Sequence, residues 1–322
     1  MNFLAAYEDL YSRFQPFSRE ASLLTYIAGE ISEAVDTCSV DRFGNLIAHR
    51  SGRGKRVMLS AQADVPTVLV TYLEGDGSVR FLMTGKSASQ IKNGSRVRFG
   101  SQGEGVVSYD RDCAGETDLT HMRILPESGA LQVGDKGILS GTPGGDASRI
   151  SGPHSAIAAG CMALMELARS FVRQDLDLYY VFSIGSEAEL ISQRGVKCAA
   201  FSIKPNVAVS IETIAAEGSR VFPGGGPVVL LRDEHAVLRR DVLRSIRSSA
   251  ERGGIPLQYV GVDKGARETA LYHYQCAGAY AWTLAIPIAR HLTAEETVMT
   301  GDIFRSAALV RKFLEDMPLS LS

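Results

Sequence analysis

The first sixty residues show apolar positions at helical spacing and then one short apolar run. Four apolar residues share one helical face: Leu24, Ile27, Ile31 and Ala34. This spacing predicts a helix, and Ser18 stands where a capping residue is expected. Residues 57–61 are mostly apolar, which predicts a short buried strand.

From residue 65 to about residue 145 the pattern changes to short strand-like runs. They cover residues 68–73, 79–83, 97–99 and 106–109. Turn residues separate them, namely Gly75, Asp76 and Gly77 at one place and Asn93 and Gly94 at another. No convincing helical pattern occurs here, so this segment is predicted to be a small all-β module.

After residue 152 helical and strand-like patterns alternate again. An apolar helical stripe is formed by Ile157, Cys161, Leu164, Met165 and Ala168. Strand-like runs follow at residues 178–184, 207–211, 228–231, 258–262 and 280–286, and helices are predicted at 233–252 and 303–314. This alternation predicts an α/β fold with a mostly parallel central sheet flanked by helices. Residues 1–64 and 147–322 would then form one discontinuous domain, with residues 65–146 inserted.

Composition narrows the class of protein. The 322 residues carry a net charge of -2, which gives no reason to expect nucleic acid or a membrane surface as a partner. The five cysteines are scattered and form no CxxC pair, which argues against a disulfide framework and a structural zinc site. The N-terminus carries no apolar run of signal-peptide length, so a cytoplasmic protein is expected.

Polar side chains follow five of the predicted strands, where open α/β sheets build their sites. They are Asp64, Glu187, Glu189, Glu212, Asp263 and His291. Carboxylates and an imidazole are the ligands that zinc-like ions accept, so these residues are candidates for a metal site. The alternative is that each is a solvated loop residue. Neither HExxH nor GxSxG occurs, and the glycines at 224–226 precede a strand, which favours a turn over a phosphate-binding loop.

Several segments together resemble the tetrahedral, or glutamyl, aminopeptidase family of two-metal peptidases. They are DRFGNLIA at residues 41–48, VMLSAQAD at 57–64, QRGVKCAA at 193–200, GVDKG at 261–265 and IPIARH at 286–291. The resemblance covers nearly the whole chain in the right order. It implies a zinc-peptidase-like α/β domain, and it implies that residues 65–146 form a barrel-like domain used for dimerisation.

The resemblance also implies where the family's catalytic and metal-binding residues fall. The first metal histidine aligns with Gln62, and the supporting aspartate is Asp64. The bridging aspartate aligns with Ala156. The paired glutamates, one of them the general base, align with Ser186 and Glu187, although Glu187 and Glu189 allow a shifted register. The remaining ligands align with Glu212 and with Leu292, or with His291 after a slip of one residue.

Two functional interpretations follow from this substituted set of ligands. In the first, the chain is a weak or inactive aminopeptidase relative that acts as a binding or assembly protein. In the second, it is a hydrolase with one metal held by Glu187, Glu212 and His291, helped by His154 or Asp64. No metal, or one zinc or cobalt ion at low occupancy, is expected instead of a pair. The expected partners are a peptide or small molecule in the cleft and further copies of the chain, as a dimer or dodecamer.

Overall fold

The computed structural model describes residues 2–84, 91–110, 118–185, 193–263, 268–275, 278–291 and 293–317. The chain begins with two helices, α1 (Phe3–Arg13) and α2 (Ala21–Ile31). Three strands follow: β1 (Thr37–Val40), β2 (Leu46–Arg50) and β3 (Lys55–Gln62). Residues 57–61 therefore lie in a strand, as their apolar pattern predicts.

The next six strands close into a barrel. They are β4 (Val68–Leu73), β5 (Val79–Met83), β6 (Arg96–Arg98), β7 (Glu104–Tyr109), β8 (Met122–Pro126) and β9 (Lys136–Ser140). Their order around the barrel is β4-β5-β8-β7-β6-β9. Alternate residues such as Val68, Val70 and Val97 point inward and form a separate apolar core. The all-β prediction for this segment is confirmed, and the module is a closed barrel.

After the barrel, the chain returns to the large sheet, and strands and helices follow one another along it. The strands are β10 (Gly144–Gly145), β11 (Arg149–Ser151), β12 (Leu176–Ser183), β13 (Val207–Ala215), β14 (Val228–Arg232), β15 (Gln258–Gly261), β16 (Tyr280–Ala289) and β17 (Thr297–Met299). The helices are α3 (Ser155–Ser170), α4 (Arg194–Ile203), α5 (Arg240–Gly253), α6 (Glu268–Gln275) and α7 (Thr300–Asp316). The apolar stripe that begins at Ile157 therefore lies on α3.

The large sheet is mixed, with a parallel centre and antiparallel edges. Strands β12, β3, β13 and β16 lie side by side and run parallel. On one side β2 and β1 are added antiparallel, and on the other β17, β11 and β10 are. The predicted α/β fold with an inserted barrel is therefore confirmed, because the four central strands that build it are parallel.

Helices cover both faces of the parallel centre. Val57, Leu59 and Ala61 of β3 pack in the main core with α1, α2, α3 and α7, whereas Met58 faces α4 and α6. This alternation along one strand is the expected result of its period of two residues. None of the helices in the described residues has the length and apolar composition needed to cross a membrane.

Two local predictions are wrong. Helix α5 begins at Arg240 and not at residue 233, because the Asp233 carboxylate accepts hydrogen bonds from the N–H groups of His235 and Ala236 at 2.7 and 2.6 Å. That bonding makes an Asx turn before the helix. Ser18 does not cap α2: its φ is +75°, and the helix starts three residues later, at Ala21.

Candidate functional site

The carboxyl ends of the parallel strands bring two of the predicted positions into one region. Ser183 at the end of β12 pairs with Gln62 at the end of β3, and Ile211 pairs with Ala61. Continuing that register places Glu212 beside Gln62. Because paired residues in a parallel sheet point to the same face, the side chains of Gln62 and Glu212 share the face covered by α4 and α6.

The side-chain amide of Gln62 forms a hydrogen bond to the backbone two residues further along the chain. Its Nε2 donates a hydrogen bond to the backbone oxygen of Asp64 at 3.0 Å, and its own backbone oxygen accepts one from the Cys161 thiol at 3.3 Å. Asp64 is 1% exposed. Burial raises the pKa of Cys161 to about 12, and the charge of Asp64 adds to the shift. Cys161 is therefore a neutral thiol that anchors the strand end to α3.

Glu212 is linked to a second carboxylate through a serine. The Ser210 hydroxyl lies 2.9 Å from Oε1 of Glu212 and 3.0 Å from Oε2 of Glu268. The backbone N–H of Glu268 also donates to Oε1 of Glu212 at 3.4 Å. Glu268 is the first residue of α6, so the helix start and the end of β13 are joined by side-chain contacts.

Glu268 is buried and surrounded by hydroxyl groups. Its Oε2 accepts from Ser60 at 2.6 Å and from Tyr272 at 2.7 Å, in addition to its contact with Ser210. Ser60 and Ser210 are neighbours on paired strands and both point toward α6. Burial raises the pKa of Glu268, and the nearby charge of Glu212 raises it further. The same burial raises the pKa of Tyr272, so its hydroxyl stays protonated.

Ala156 lies in the first turn of α3, next to another buried carboxylate. The N–H of Ala156 donates to Oε2 of Glu296 at 3.1 Å, and Glu296 is 3% exposed. An anion at the first turn of a helix is favourable because the backbone N–H groups there have no partner within the helix. A methyl side chain at Ala156 supplies no metal ligand, and its amide is already bonded.

Asp263 and His291 lie in the loops that follow β15 and β16. His291 follows Arg290, whose N–H bonds to Glu217, and it is six residues beyond Ala285, the partner of Glu212 in the sheet. Asp263 is 88% exposed and pairs with Arg232 at 3.1 Å. For Asp263 the alternative of a solvated loop residue is the correct one.

His154 is fixed at the boundary between the barrel and the α/β domain. Its Nε2–H donates to the backbone oxygen of Leu139 in β9 at 3.0 Å, and its ring packs edge-on against Phe14. Burial lowers the pKa of His154 to about 4, so the ring is neutral near neutral pH. Its ring nitrogen is therefore engaged with the barrel.

Three predicted catalytic or metal-binding residues, Ser186, Glu187 and Glu189, lie outside the described residues, as does Leu292. The metal set of Glu187, Glu212 and His291 therefore stays a prediction. Within the described part of the chain, no group of three His, Cys, Asp or Glu side chains is placed to hold a metal ion.

A family model of the M42 glutamyl aminopeptidases matches residues 131–309, more than half of the 322-residue chain. The chain belongs to the M42 glutamyl aminopeptidase family. Over 325 aligned residues it is 27% identical to a candidate aminopeptidase from Acetivibrio thermocellus, and the alignment covers 94% of this chain and 98% of that protein.

Solved structures of aminopeptidases share the fold of this M42 chain. An aminopeptidase from the archaeon Desulfurococcus kamchatkensis superposes with a TM-score of 0.88 at 21% identity, covering 98% of this chain and 95% of that one. The TET1 peptidase of Pyrococcus horikoshii, which can assemble into a tetrahedron or a large octahedral shell, gives a TM-score of 0.81 at 20% identity, with 95% and 98% covered. At these identities the likeness establishes the fold.

The M42 family consists of divalent-metal peptidases, but the described residues of this chain do not fit a metal pair. Two metal ions held 3.5–4 Å apart, as is roughly typical, need a bridging anion between them. The position that the resemblance assigns to that bridge is Ala156, whose N–H is bonded to Glu296. Gln62 replaces an imidazole by an amide that donates to the backbone.

Sequence patterns did not point to Glu268, Tyr272 or Glu296. One sign was available, because Ser60 and Ser210 interrupt apolar strands, and a buried hydroxyl needs a hydrogen-bond partner. The partner could not be named, since Glu268 is 208 residues away from Ser60 along the chain.

Proposed function

We propose that this chain is an M42-family protein that has lost the two-metal peptidase mechanism and acts as a binding or assembly protein. The observation that carries the proposal is the environment of Ala156. Its side chain has no oxygen, and Glu296, the carboxylate bonded to its N–H, is 3.1 Å from that nitrogen. A buried acid used as a helix-terminal hydrogen-bond acceptor has a structural role that does not require a metal.

The chemistry of peptide hydrolysis supports the same conclusion. It needs an activated water, a base for the water's proton and a cation for the developing oxyanion. The resemblance assigns the base position to Ser186, and a serine hydroxyl is not a base at neutral pH. Loss of general-base catalysis alone costs about 10²–10⁴ in rate. Glu212, which keeps a carboxylate, is bonded to Ser210 and to the N–H of Glu268.

An aminopeptidase assay tests the proposal. We expect the purified protein to hydrolyse aminoacyl-p-nitroanilides no faster than a protein-free blank, with or without added zinc, cobalt or manganese. After dialysis, metal analysis is expected to find fewer than two ions per chain. The variants Glu187→Gln and Glu212→Gln serve as site variants. Glu251→Gln, an exposed substitution on α5, is the matched control.

Each other outcome has a defined meaning. Two bound zinc or cobalt ions per chain would contradict the proposal directly. Robust hydrolysis that Glu187→Gln and Glu212→Gln both abolish, while Glu251→Gln retains it, would establish the one-metal hydrolase in its place. Hydrolysis that none of the three substitutions changes would identify a contaminating peptidase, and the proposal would stand.

Self-association through the barrel is part of the proposal. Three large apolar side chains on or beside the paired strands β4 and β5 are exposed: Tyr72 at 60%, Leu82 at 56% and Val133 at 60%. Exposed apolar groups clustered on one side of a small domain are typical of protein interfaces. The proposal also includes one domain of residues 1–64 and 147–322 and a second of residues 65–146, because the described barrel strands all lie between residues 68 and 140.

A further inference from the structure

Strand β1 is the outermost strand of the large sheet on its side. The sheet order begins with β1, and among the residues that the structure describes no strand lies beyond it. All four of its residues, Thr37–Val40, are exposed. An edge strand presents backbone N–H and C=O groups to solvent in a row, and another extended chain can pair with them.

Open space flanks β1 on both faces of the sheet. A cavity of about 560 Å³ lies between β1 and α2, with Leu24, Ala28 and Leu46 in its apolar wall. A second cavity of about 830 Å³ lies between the β1–β2 turn and α4, and Phe201 forms part of its wall. Successive side chains of a strand added to β1 would point alternately to the two faces. The two cavities therefore lie where the alternating side chains of one added strand would point.

The cavity beside α4 combines exposed apolar groups with unpaired positive charge. Val40 is 57% exposed and Phe201 is 64% exposed. Arg42 and Lys197 also line this cavity, and neither forms a salt bridge within the described part of the chain. The face is therefore suited to a ligand that covers apolar surface and supplies an anion.

Among the described residues of this wall, Asp41 carries the one carboxylate, and it is engaged in the turn. Oδ1 of Asp41 accepts three backbone hydrogen bonds, from residues 43, 44 and 45, at 2.9 to 3.0 Å. Oδ2 of Asp41 accepts from Nδ2 of Asn45 at 2.6 Å. Asp41 therefore holds the turn in shape, and no carboxylate among the described residues engages Arg42 or Lys197.

We propose that β1 is a strand-addition site for an extended peptide of a partner protein in which apolar and acidic side chains alternate. Backbone pairing with β1 would supply affinity, and the two cavities would select the side chains. A second copy of β1 does not meet the requirement, because Thr37, Cys38, Ser39 and Val40 carry no acid to pair with Arg42 and Lys197. This inference does not depend on whether the chain is a peptidase.

Fluorescence anisotropy with labelled octapeptides tests the backbone and charge requirements. We expect the full-length protein to bind an octapeptide of alternating valine and glutamate. The same peptide with alternate residues N-methylated, which cannot pair as a strand, is expected not to bind. An octapeptide of alternating valine and lysine is expected to bind at least about tenfold more weakly, because it brings like charges to Arg42 and Lys197.

Protein variants locate the site. Arg42→Glu is expected to weaken binding of the valine–glutamate peptide about tenfold, which is about 1.4 kcal/mol. Arg244→Glu, an identical charge change at an exposed position on α5, is the matched control and is expected to leave binding unchanged. Hydrogen exchange is expected to show that the backbone amides of β1 that point away from β2 become protected when the peptide binds.

Three results would overturn the proposal. The first is equal binding of the N-methylated peptide, which would exclude strand pairing. The second is equal loss of affinity in Arg42→Glu and Arg244→Glu, which would indicate attraction to net charge alone. The third concerns Phe201→Ser, which removes an exposed ring and is expected to weaken peptide binding. The proposal would fail if this variant left the affinity for the peptide unchanged and instead lowered the mass of the assembly in light scattering. That result would assign this face to contact between copies of the chain.

Discussion

The carboxyl group of Glu268 is stabilised in the interior by hydroxyl groups, without a neighbouring cation among the described residues. Ser60, Ser210 and Tyr272 supply three O–H groups at 2.6 to 3.0 Å from its Oε2. A buried polar network is stable only if its members are satisfied, and removing one partner exposes the others to the full cost of desolvation. The network therefore fixes the position of α6 against β3 and β13.

Removal of one of these hydroxyls tests the network. Tyr272→Phe keeps the ring but removes the hydroxyl that lies 2.7 Å from Glu268 and 2.6 Å from Ser60. We expect the free energy of unfolding to fall by about 1–3 kcal/mol. Tyr179→Phe is the control, because its hydroxyl bonds to Asp177 at 2.9 Å in a half-buried position. Equal losses measured by urea denaturation would argue against a special role for the buried network.

His154 predicts a dependence of stability on pH. Burial lowers its pKa from an ordinary value near 6.5 to about 4 in the folded protein. A depressed folded pKa means that the unfolded state takes up the proton first. The stability that the neutral ring of His154 contributes is therefore fully present above pH 6.5. It is lost as the pH falls toward about 4, and the free energy of unfolding decreases by at most about 3 kcal/mol.

The variant His154→Asn isolates this effect. Asparagine tolerates the positive φ of +62° found at this position, but it does not titrate. We expect the wild-type protein to lose more stability than the variant between pH 7 and pH 4, as followed by thermal denaturation. Parallel pH profiles for the two proteins would show that His154 does not titrate in this range.

Individual residues differ in how far sequence alone identifies their surroundings. Glu212 and Asp64 are expected at one edge of the sheet because the ends of parallel strands meet there, which is a general rule, whereas only the family resemblance points to Gln62. The partners of Glu268 and Ala156 were not predictable, since each bond joins residues distant in sequence, 208 positions apart for Glu268 with Ser60 and 140 for Ala156 with Glu296. His154 was weighed as a helper at a metal site, and tertiary contacts with the barrel give it another role.

Among the secondary-structure elements, the end of β12 and the start of α4 are tied together by one buried amide. Oδ1 of Asn45 accepts from the N–H of Ile184 at 3.0 Å, and its Nδ2 donates to the backbone oxygen of Gly195 at 2.9 Å. Asn45 follows the turn that Asp41 caps. The turn between β1 and β2 therefore positions the chain on either side of residues 186–192.

Gly195 has no room for a side chain at this junction. A Cβ there would lie 1.9 Å from the backbone oxygen of Ile184 and 2.4 Å from Oδ1 of Asn45. We expect Gly195→Ala to destabilise the protein by about 3 kcal/mol, because backbone has to move. Gly29→Ala in α2, where no described atom lies within 4 Å of the new Cβ, is expected to stabilise it by about 0.5–1 kcal/mol. The same sign for both in urea denaturation would contradict this account.

Helices and strands with a regular apolar pattern were predictable from the sequence. The first residue of a helix was not predictable where side-chain hydrogen bonds determine it. The apolar stripe from Ile157 to Ala168 is part of α3, and the runs 68–73 and 79–83 coincide with strands β4 and β5. The start of α5 was placed seven residues too early, because Asp233 bonds to the next turn and leaves the helix to begin at Arg240.

At the scale of the whole molecule, the exposed apolar side chains of the barrel predict an assembly. We expect light scattering at micromolar concentration to give a mass above the 34.7 kDa of one chain. The double variant Tyr72→Glu/Leu82→Glu is expected to lower that mass, because charges would have to be buried in the interface. Phe304→Glu, at a residue 53% exposed on α7, is the control. A single 34.7 kDa species for the unaltered protein would reject self-association.

The insertion of the barrel between β3 and α3 has a consequence for the order of folding. Strand β3 pairs with β12, and Lys55 and Leu176, which face each other, are 121 residues apart. Closing so long a loop is entropically costly, and non-local pairing of this kind slows folding. The barrel has its own apolar core between the two strands, so its early folding would shorten the flexible chain that remains to be closed. In refolding followed by pulsed hydrogen exchange, the amides of the barrel strands should therefore be protected before those of β3 and β12.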